Sequence, residues 1–74
     1  MQDKLLIQGI NGPVVTVPGK TELSMMEEVY VGKGRLIGEV IGITDAAATI
    51  QVYENTTSLR PGEPVERTGY PMRC

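Results

Sequence analysis

An all-β fold, a small closed six-stranded β-barrel with Greek-key-like connections, is predicted by three features of this 74-residue sequence. Val, Ile and Thr make up more than a quarter of the residues while Phe and Trp are absent, a balance that favours strands around a core of branched aliphatics. Turn signals recur about every eight to twelve residues with no convincing helix between them. The chain is also short and carries no staple. Cys74 is the sole cysteine and there is no histidine, so neither an internal disulfide nor a structural zinc site is available. At this size the gain from burying apolar surface and the cost of ordering the chain nearly cancel. Closing the sheet removes edges that so few residues could not otherwise cover, and such a domain is expected to lean on a neighbour.

The elements follow in order. Leu5 to Ile10 reads as the first strand and Val14 to Val17 as the second. Between them Asn11-Gly12-Pro13 serves either as a hairpin turn or as a kink that bends one strand around a barrel corner. Pro18-Gly19-Lys20 ends the second strand. Thr21 to Met26 has room for one helical turn but is too short to stand as a helix. Glu27 to Val31 alternates, with Glu28 and Tyr30 on one face and Val29 and Val31 on the other; Gly32-Lys33-Gly34 then turns the chain. Arg35 to Thr44 is the longest strand, and its Gly38 and Gly42 call for a close backbone neighbour or a sharp coil. Asp45-Ala46 leads into a fifth strand, Ala47 to Tyr53. A polar loop, Glu54 to Gly62, precedes a last short strand around Val65 to Thr68.

The net charge of −2 and pI near 4.9 argue against a dedicated nucleic-acid or membrane-surface binder, which carries a basic excess. No apolar run approaches the ~20 residues of a membrane span. The polar start Met1-Gln2-Asp3-Lys4 is not a signal peptide, so the chain reads as cytosolic. Pro18-Gly19-Lys20-Thr21 matches the end of a phosphate-binding loop. However, Val14 stands where that loop needs its earlier glycine, and Pro18 has no N–H to offer a phosphate. A strand-ending turn is the better reading. Val31-Gly32-Lys33-Gly34-Arg35 resembles the glycine-and-basic loop of small RNA-binding barrels of the KOW/SH3-like kind, in which Lys33, Arg35 and Lys20 would meet phosphate; a hairpin turn with solvated cations is the plainer account. Asn55-Thr56-Thr57 is a formal glycosylation acceptor and reads as coincidence in a cytosolic chain. Glu27 and Glu28 point to opposite faces of one strand and cannot share a proton or a metal. Cys74 has only Arg73 as a basic neighbour and reads as a bystander. Without His or a Ser elbow, no acid–base or nucleophilic apparatus is visible.

Taken together, the strands resemble the N-terminal β-barrel domain of the catalytic A (alpha) subunit of archaeal/vacuolar-type rotary ATP synthases. Ile10-Asn11-Gly12-Pro13-Val14-Val15 is similar to the family string I-x-G-P-V-V, which related subunits share. Met26 to Gly32 resembles the family's strand entering the central hairpin, and Leu59 to Val65 with Thr68-Gly69-Tyr70-Pro71 its sixth strand. More specific are Leu36-Ile37-Gly38-Glu39-Val40-Ile41, followed by Ile50 to Thr56 and Pro61-Gly62-Glu63-Pro64-Val65, which point to A rather than B. Asp45-Ala46-Ala47 and Ser58 depart from the pattern, standing where glycines are usual. The resemblance implies that residues 1–74 form one N-terminal crown domain, with nucleotide-binding and C-terminal domains elsewhere in the parent subunit. It further implies a structural role in an alternating A3B3 ring with neighbouring B subunits, without nucleic acid or direct membrane contact. The parent would couple ATP synthesis or hydrolysis to proton or sodium ion transport in the cytoplasm, peripheral to the membrane. ATP and Mg²⁺ would belong to that parent; the domain itself is expected to hold no catalytic, cofactor or metal residue. Candidate contacts are Tyr30, Val31, Tyr53, Asn55, Thr56 and Leu59, drawn from strand edges and exposed side chains.

Overall fold

Alternation of branched aliphatics with polar residues builds seven strands in a computed structural model, which describes residues 5–18 and 23–71. These are β1 (Leu5–Leu6), β2 (Gly9–Asn11), β3 (Val14–Pro18), β4 (Glu27–Val31), β5 (Leu36–Ile43), β6 (Ala47–Val52) and β7 (Pro64–Pro71). They form one antiparallel sheet in the order β1-β7-β4-β5-β6-β3-β2. The two ends of that order are neighbours in sequence. Between β1 and β2 the Ile7 N–H donates to Glu63 O (2.9 Å), Ile7 O accepts from Gly62 N–H (2.8 Å), and the Gln8 N–H donates to Thr16 O (2.7 Å). Hence the predicted first strand is one bent strand that pairs with β7 by its first half and with β3 by its second. It closes the sheet into a barrel. Counted as one strand, it gives the six expected. The extra break arises because a strand that changes partner interrupts its own ladder at Ile7-Gln8.

The connections are those of a Greek key: β4, β5 and β6 follow as hairpins, and β7 returns to lie beside β4. Asn11-Gly12-Pro13 is a hairpin turn rather than a corner kink, since Asn11 pairs directly with Val14 across the two residues Gly12-Pro13. No helical turn occurs within residues 23–26. Residues 19–22, which include Lys20 and most of the phosphate-loop look-alike, lie outside the described residues, as does Cys74.

Inward positions carry the core. Val15, Val17, Val29, Val31, Val40, Ala48 and Ile50 are fully buried, joined by Ile7, Leu23, Val52, Leu59 and Val65. The long strand β5 shows why its glycines are there. A Cβ on Gly38 would sit 2.9 Å from Ile50 Cγ2 and 3.2 Å from the Gln51 carbonyl oxygen, so only hydrogen fits between β5 and β6. Near Gly42 the strand coils instead: the β5–β6 register slips between Val40 and Gly42, leaving Ile41 as the extra residue of a bulge. A second irregularity lies between β4 and β7, where Glu27 faces Pro71 but Val29 faces Arg67. There the Thr68 hydroxyl donates to Glu28 O (2.7 Å) and accepts from the Tyr70 N–H (3.1 Å), satisfying groups the ladder drops.

The barrel measures 28 × 26 × 23 Å and has two distinct ends. One carries the Gly12-Pro13 turn and residues 32–35 and 53–63, tied together by Gly32 N–H to Pro64 O (2.7 Å) and Thr56 Oγ1 to Gly12 O (2.8 Å). The other carries residues 23–26, the 44–46 turn and the end of β7.

Candidate docking face

Outward positions on neighbouring strands are brought side by side by the register. Tyr30 of β4 pairs with Glu66 of β7 on one side and with Ile37 of β5 on the other. Ile37 O in turn accepts from the Tyr53 N–H (2.9 Å). The result is one row across the outer wall: Glu66, Tyr30, Ile37, Tyr53. Tyr30 and Ile37 are half-buried, and Tyr53 is 51% exposed.

Polar groups fasten this row at each end. The Arg35 guanidinium lies over the Tyr30 ring, 4.6 Å from its centroid, and reaches Glu66 Oε1 at 3.3 Å. At the opposite end the Tyr53 hydroxyl donates to Glu39 Oε1, and Glu54 Oε2 accepts from the Ile37 N–H (3.0 Å). Glu28 and Glu39 are directly paired across β4 and β5, a like-charge juxtaposition that costs stability and that the Tyr53 hydroxyl relieves on the Glu39 side. The hydrogen bond to Glu39, then desolvation and the nearby carboxylate charge, raise the Tyr53 phenol above its ordinary value of 10.0.

The candidates from sequence thus divide three ways. Tyr30 and Tyr53 share the outer row, joined through Ile37. Asn55 and Thr56 sit at the turn end: Asn55 Oδ1 accepts from the Thr57 N–H (2.8 Å), and Thr56 is bonded to Gly12 O. Val31 and Leu59 are inside the barrel, at 0% and 7% exposure, and present no side chain to an outer surface. Their inward parity follows from β4 alternation and from the loop folding Leu59 over Gly32. Closure also uses up the strand edges, so the outer wall offers side chains rather than unpaired backbone. The row members Ile37 and Glu66, and Glu39 beside them, were not singled out from sequence. Alternation puts Ile37 and Glu39 on one face, but only pairing reveals which strands flank them.

The glycine-and-basic loop does not form a shared cationic surface. Arg35, at φ 57°, turns its side chain back onto Tyr30 and Glu66. The Glu63 carboxylate accepts from the Lys33 N–H (3.0 Å) at the same turn. Arg35 is thus paired with a carboxylate and the Lys33 backbone N–H is already taken by another, which works against phosphate binding at this turn. Glu27 and Glu28 do take opposite faces: Glu27 is 3% exposed, bonded to the Ser24 N–H (2.9 Å) and to Arg67 Nε (3.3 Å), while Glu28 lies on the outer wall. Nor do the departures from the glycine pattern strain the backbone. Neither Asp45, Ala46, Ala47 nor Ser58 has positive φ, and the Thr44 hydroxyl accepts from the Ala46 and Ala47 N–H groups to make the turn. Among the described residues no group of three or more His, Cys, Asp and Glu is placed to hold a metal ion, and no helix is long and apolar enough to cross a membrane.

Comparison with known proteins places residues 7–69 in the profile of the ATP synthase alpha/beta family, beta-barrel domain. The chain is 53% identical over 72 residues to the V-type ATP synthase alpha chain of Halothermothrix orenii, covering 97% of this chain and 12% of that protein. It is 54% identical over 66 residues to the A subunit of the A-type ATP synthase of Nanoarchaeum equitans, covering 89% and 11%. Against the A subunit of the A-type ATP synthase of Natronomonas pharaonis it is 49% identical over 70 residues, covering 95% and 12%. The chain therefore spans about an eighth of the length of the curated relatives it matches.

Proposed function

Because the chain belongs to the ATP synthase alpha/beta family, as the N-terminal β-barrel domain of an A (alpha) subunit of the V/A type, we propose that it is a ring-forming crown domain. It ties catalytic A subunits to neighbouring B subunits in an alternating A3B3 ring. The parent enzyme couples ATP synthesis or hydrolysis to proton or sodium ion transport, in the cytoplasm and peripheral to the membrane. ATP and Mg²⁺ are handled by other domains of that parent, and the barrel itself is non-catalytic.

The single observation that carries this reading is the outer row Tyr30–Ile37–Tyr53 on three adjacent elements of a closed barrel. A barrel whose edges are used internally offers its neighbours side chains, and two tyrosines flanking an isoleucine supply large contact area with few rotors to freeze. Asn55 and Thr56 follow Tyr53 in the chain and sit at the turn end, where Thr56 bonds to Gly12 O. A domain near the lower size limit gains stability from such partners by mass action.

Assembly of the full A subunit with B subunits tests it. Ile37→Asp puts a third carboxylate beside Glu39 and Glu54 without entering the core, so it leaves the barrel folded and lowers the hexamer fraction seen by sedimentation. Unchanged hexamer formation at matched concentration would remove this face from the ring contacts. Saturable micromolar binding of ATP to the barrel in calorimetry would overturn the non-catalytic assignment.

A further inference from the structure

Beyond the tyrosine-bearing outer wall, exposed apolar side chains gather at one end of the barrel. Of the seven large hydrophobic residues that stand out in solvent among the described residues, five are at the end where β7 leaves the barrel: Met25 (54% exposed), Met26 (50%), Ile41 (42%), Ile43 (38%) and Tyr70 (71%). They lie on β7 and β5, the two neighbours of β4 in the sheet, or on the turn entering β4. An apolar group of this kind, all at one end, marks a contact surface rather than scattered surface hydrophobes.

The turn that presents the two methionines is strained and braced. The Glu27 N–H donates to Ser24 O (3.1 Å), closing a β-turn with Met25 and Met26 at its central positions. Met26 sits at φ 67°, in a place where glycine is the default because a side chain costs energy there. The turn is nonetheless fixed on several sides. The Met26 N–H donates to Val40 O (2.8 Å), and the Ser24 N–H donates to Glu27 Oε1 (2.9 Å). Glu27 is itself buried and held by Arg67. These bonds and the buried Glu27–Arg67 pair hold both methionines at the surface. Methionine is suited to pack against an irregular apolar partner.

Pro71, where β7 ends, lies at this same end, opposite Glu27. The relatives are about eight times longer than the aligned stretch. We propose that the Met25–Met26 turn, with Ile41, Ile43 and Tyr70, is the seat on which the part of the same polypeptide following Pro71 packs. The collar would set the angle between the barrel and the rest of its own chain. The inference rests on the barrel being one domain of a longer A subunit, but not on the ring contacts proposed above.

Methionine oxidation by hydrogen peroxide in the complete, unassembled A subunit reads this directly. Half-exposed methionines would oxidise within about threefold of their rate in the denatured protein, whereas covered ones slow by about tenfold or more. Slowing of Met25 and Met26 in the lone subunit is the expected result. Slowing only after B subunits are added would place the cover in another chain and overturn the proposal, as would unslowed oxidation in both states. Met26→Gly serves as the second arm, because it relaxes the turn and so keeps the barrel folded. It should speed Met25 oxidation in the lone subunit several-fold, and an unchanged rate would also overturn the proposal. Ring assembly is not needed for either arm, so failure here leaves the ring reading standing.

Discussion

Gly32 shows how much one residue decides in a barrel this small. Its φ is 79°, and a Cβ there would lie 2.3 Å from Leu59 Cδ2 and 2.8 Å from Glu63 Oε1. Leu59 is buried and cannot swing away freely. Gly32→Ala is therefore expected to destabilise the fold by about 2 kcal/mol or more, through a left-handed backbone and overpacking together. Chemical denaturation of the two variants checks it, and a shift below about 0.5 kcal/mol would refute it. Tyr53 makes a prediction of opposite character, set by pH. Its phenol is raised in the fold because it donates to Glu39, and ionisation would set a phenolate against that carboxylate. A raised folded value means the stabilisation is full below the unfolded value near 10 and is lost as pH climbs through the folded one. The stability difference between the native chain and Tyr53→Phe should thus be constant from neutral pH to about 9 and shrink above about 10. A difference that grows with alkalinity would reverse the assignment. The buried pair Glu27–Arg67 belongs to this scale as well. Alternation put Glu27 on one face with Val29 and Val31, yet nothing in the sequence named Arg67, forty positions away, as its partner.

Among the elements, the bent first strand carries the closure. Its hydrogen bonds at Ile7 go to the β7 side and at Gln8 to the β3 side, so neither can open without parting the ring. Amide exchange at Ile7 and Gln8 is expected to be as slow as in the ladders of β3 and β7. Exchange faster by about a hundredfold would mean that the strand is a loose flap and the sheet an open one. The strand was legible in the sequence as a hydrophobic run, and so were β4 and the alternation of β6. Its break was not, because a run of apolar residues does not say where the strand changes partner. The bulge at Ile41 was half legible: Gly42 announced a distortion, but the slip itself depends on how β5 must coil to follow β6. Strand β7 was read too short for a related reason. Its last residues pair irregularly, with Thr68 supplying hydrogen bonds that the period of two does not anticipate.

At the scale of the whole molecule, the barrel is a nearly equant body with a tyrosine-bearing outer wall and an apolar end. The wall follows from alternation on three strands, and its composition shows what kind of contact it can make. Tyr30, Ile37 and Tyr53 are framed by Glu28, Glu39, Glu54 and Glu66, with Arg35 as the cation closing one corner. The Arg35–Glu66 pair is well exposed on both sides and contributes little to stability by itself; its effect is to fix the Tyr30 ring. The candidates named from sequence were mixed: alternation alone sets Val31 on the Val29 face without saying that this face is the inner one, and loop burial, which decides Leu59, leaves no period in the sequence. Leu59 looked like a loop residue open to partners and is instead a lid over Gly32.

The sequence by itself determined the class of fold, the strand count once the bent strand is taken as one, which residues share a strand face, and membership of the rotary ATP synthase family. Those properties depend on local periodicity and on strings of neighbouring residues, which a single chain displays in full. Tertiary structure alone decided which strands lie side by side, and hence that Tyr30, Ile37 and Tyr53 form one row. It also decided that Glu27 is held by Arg67 and that Leu59 turns inward. The reason is physical: each of these depends on contacts between residues far apart in the chain, and such contacts exist only once the barrel has closed.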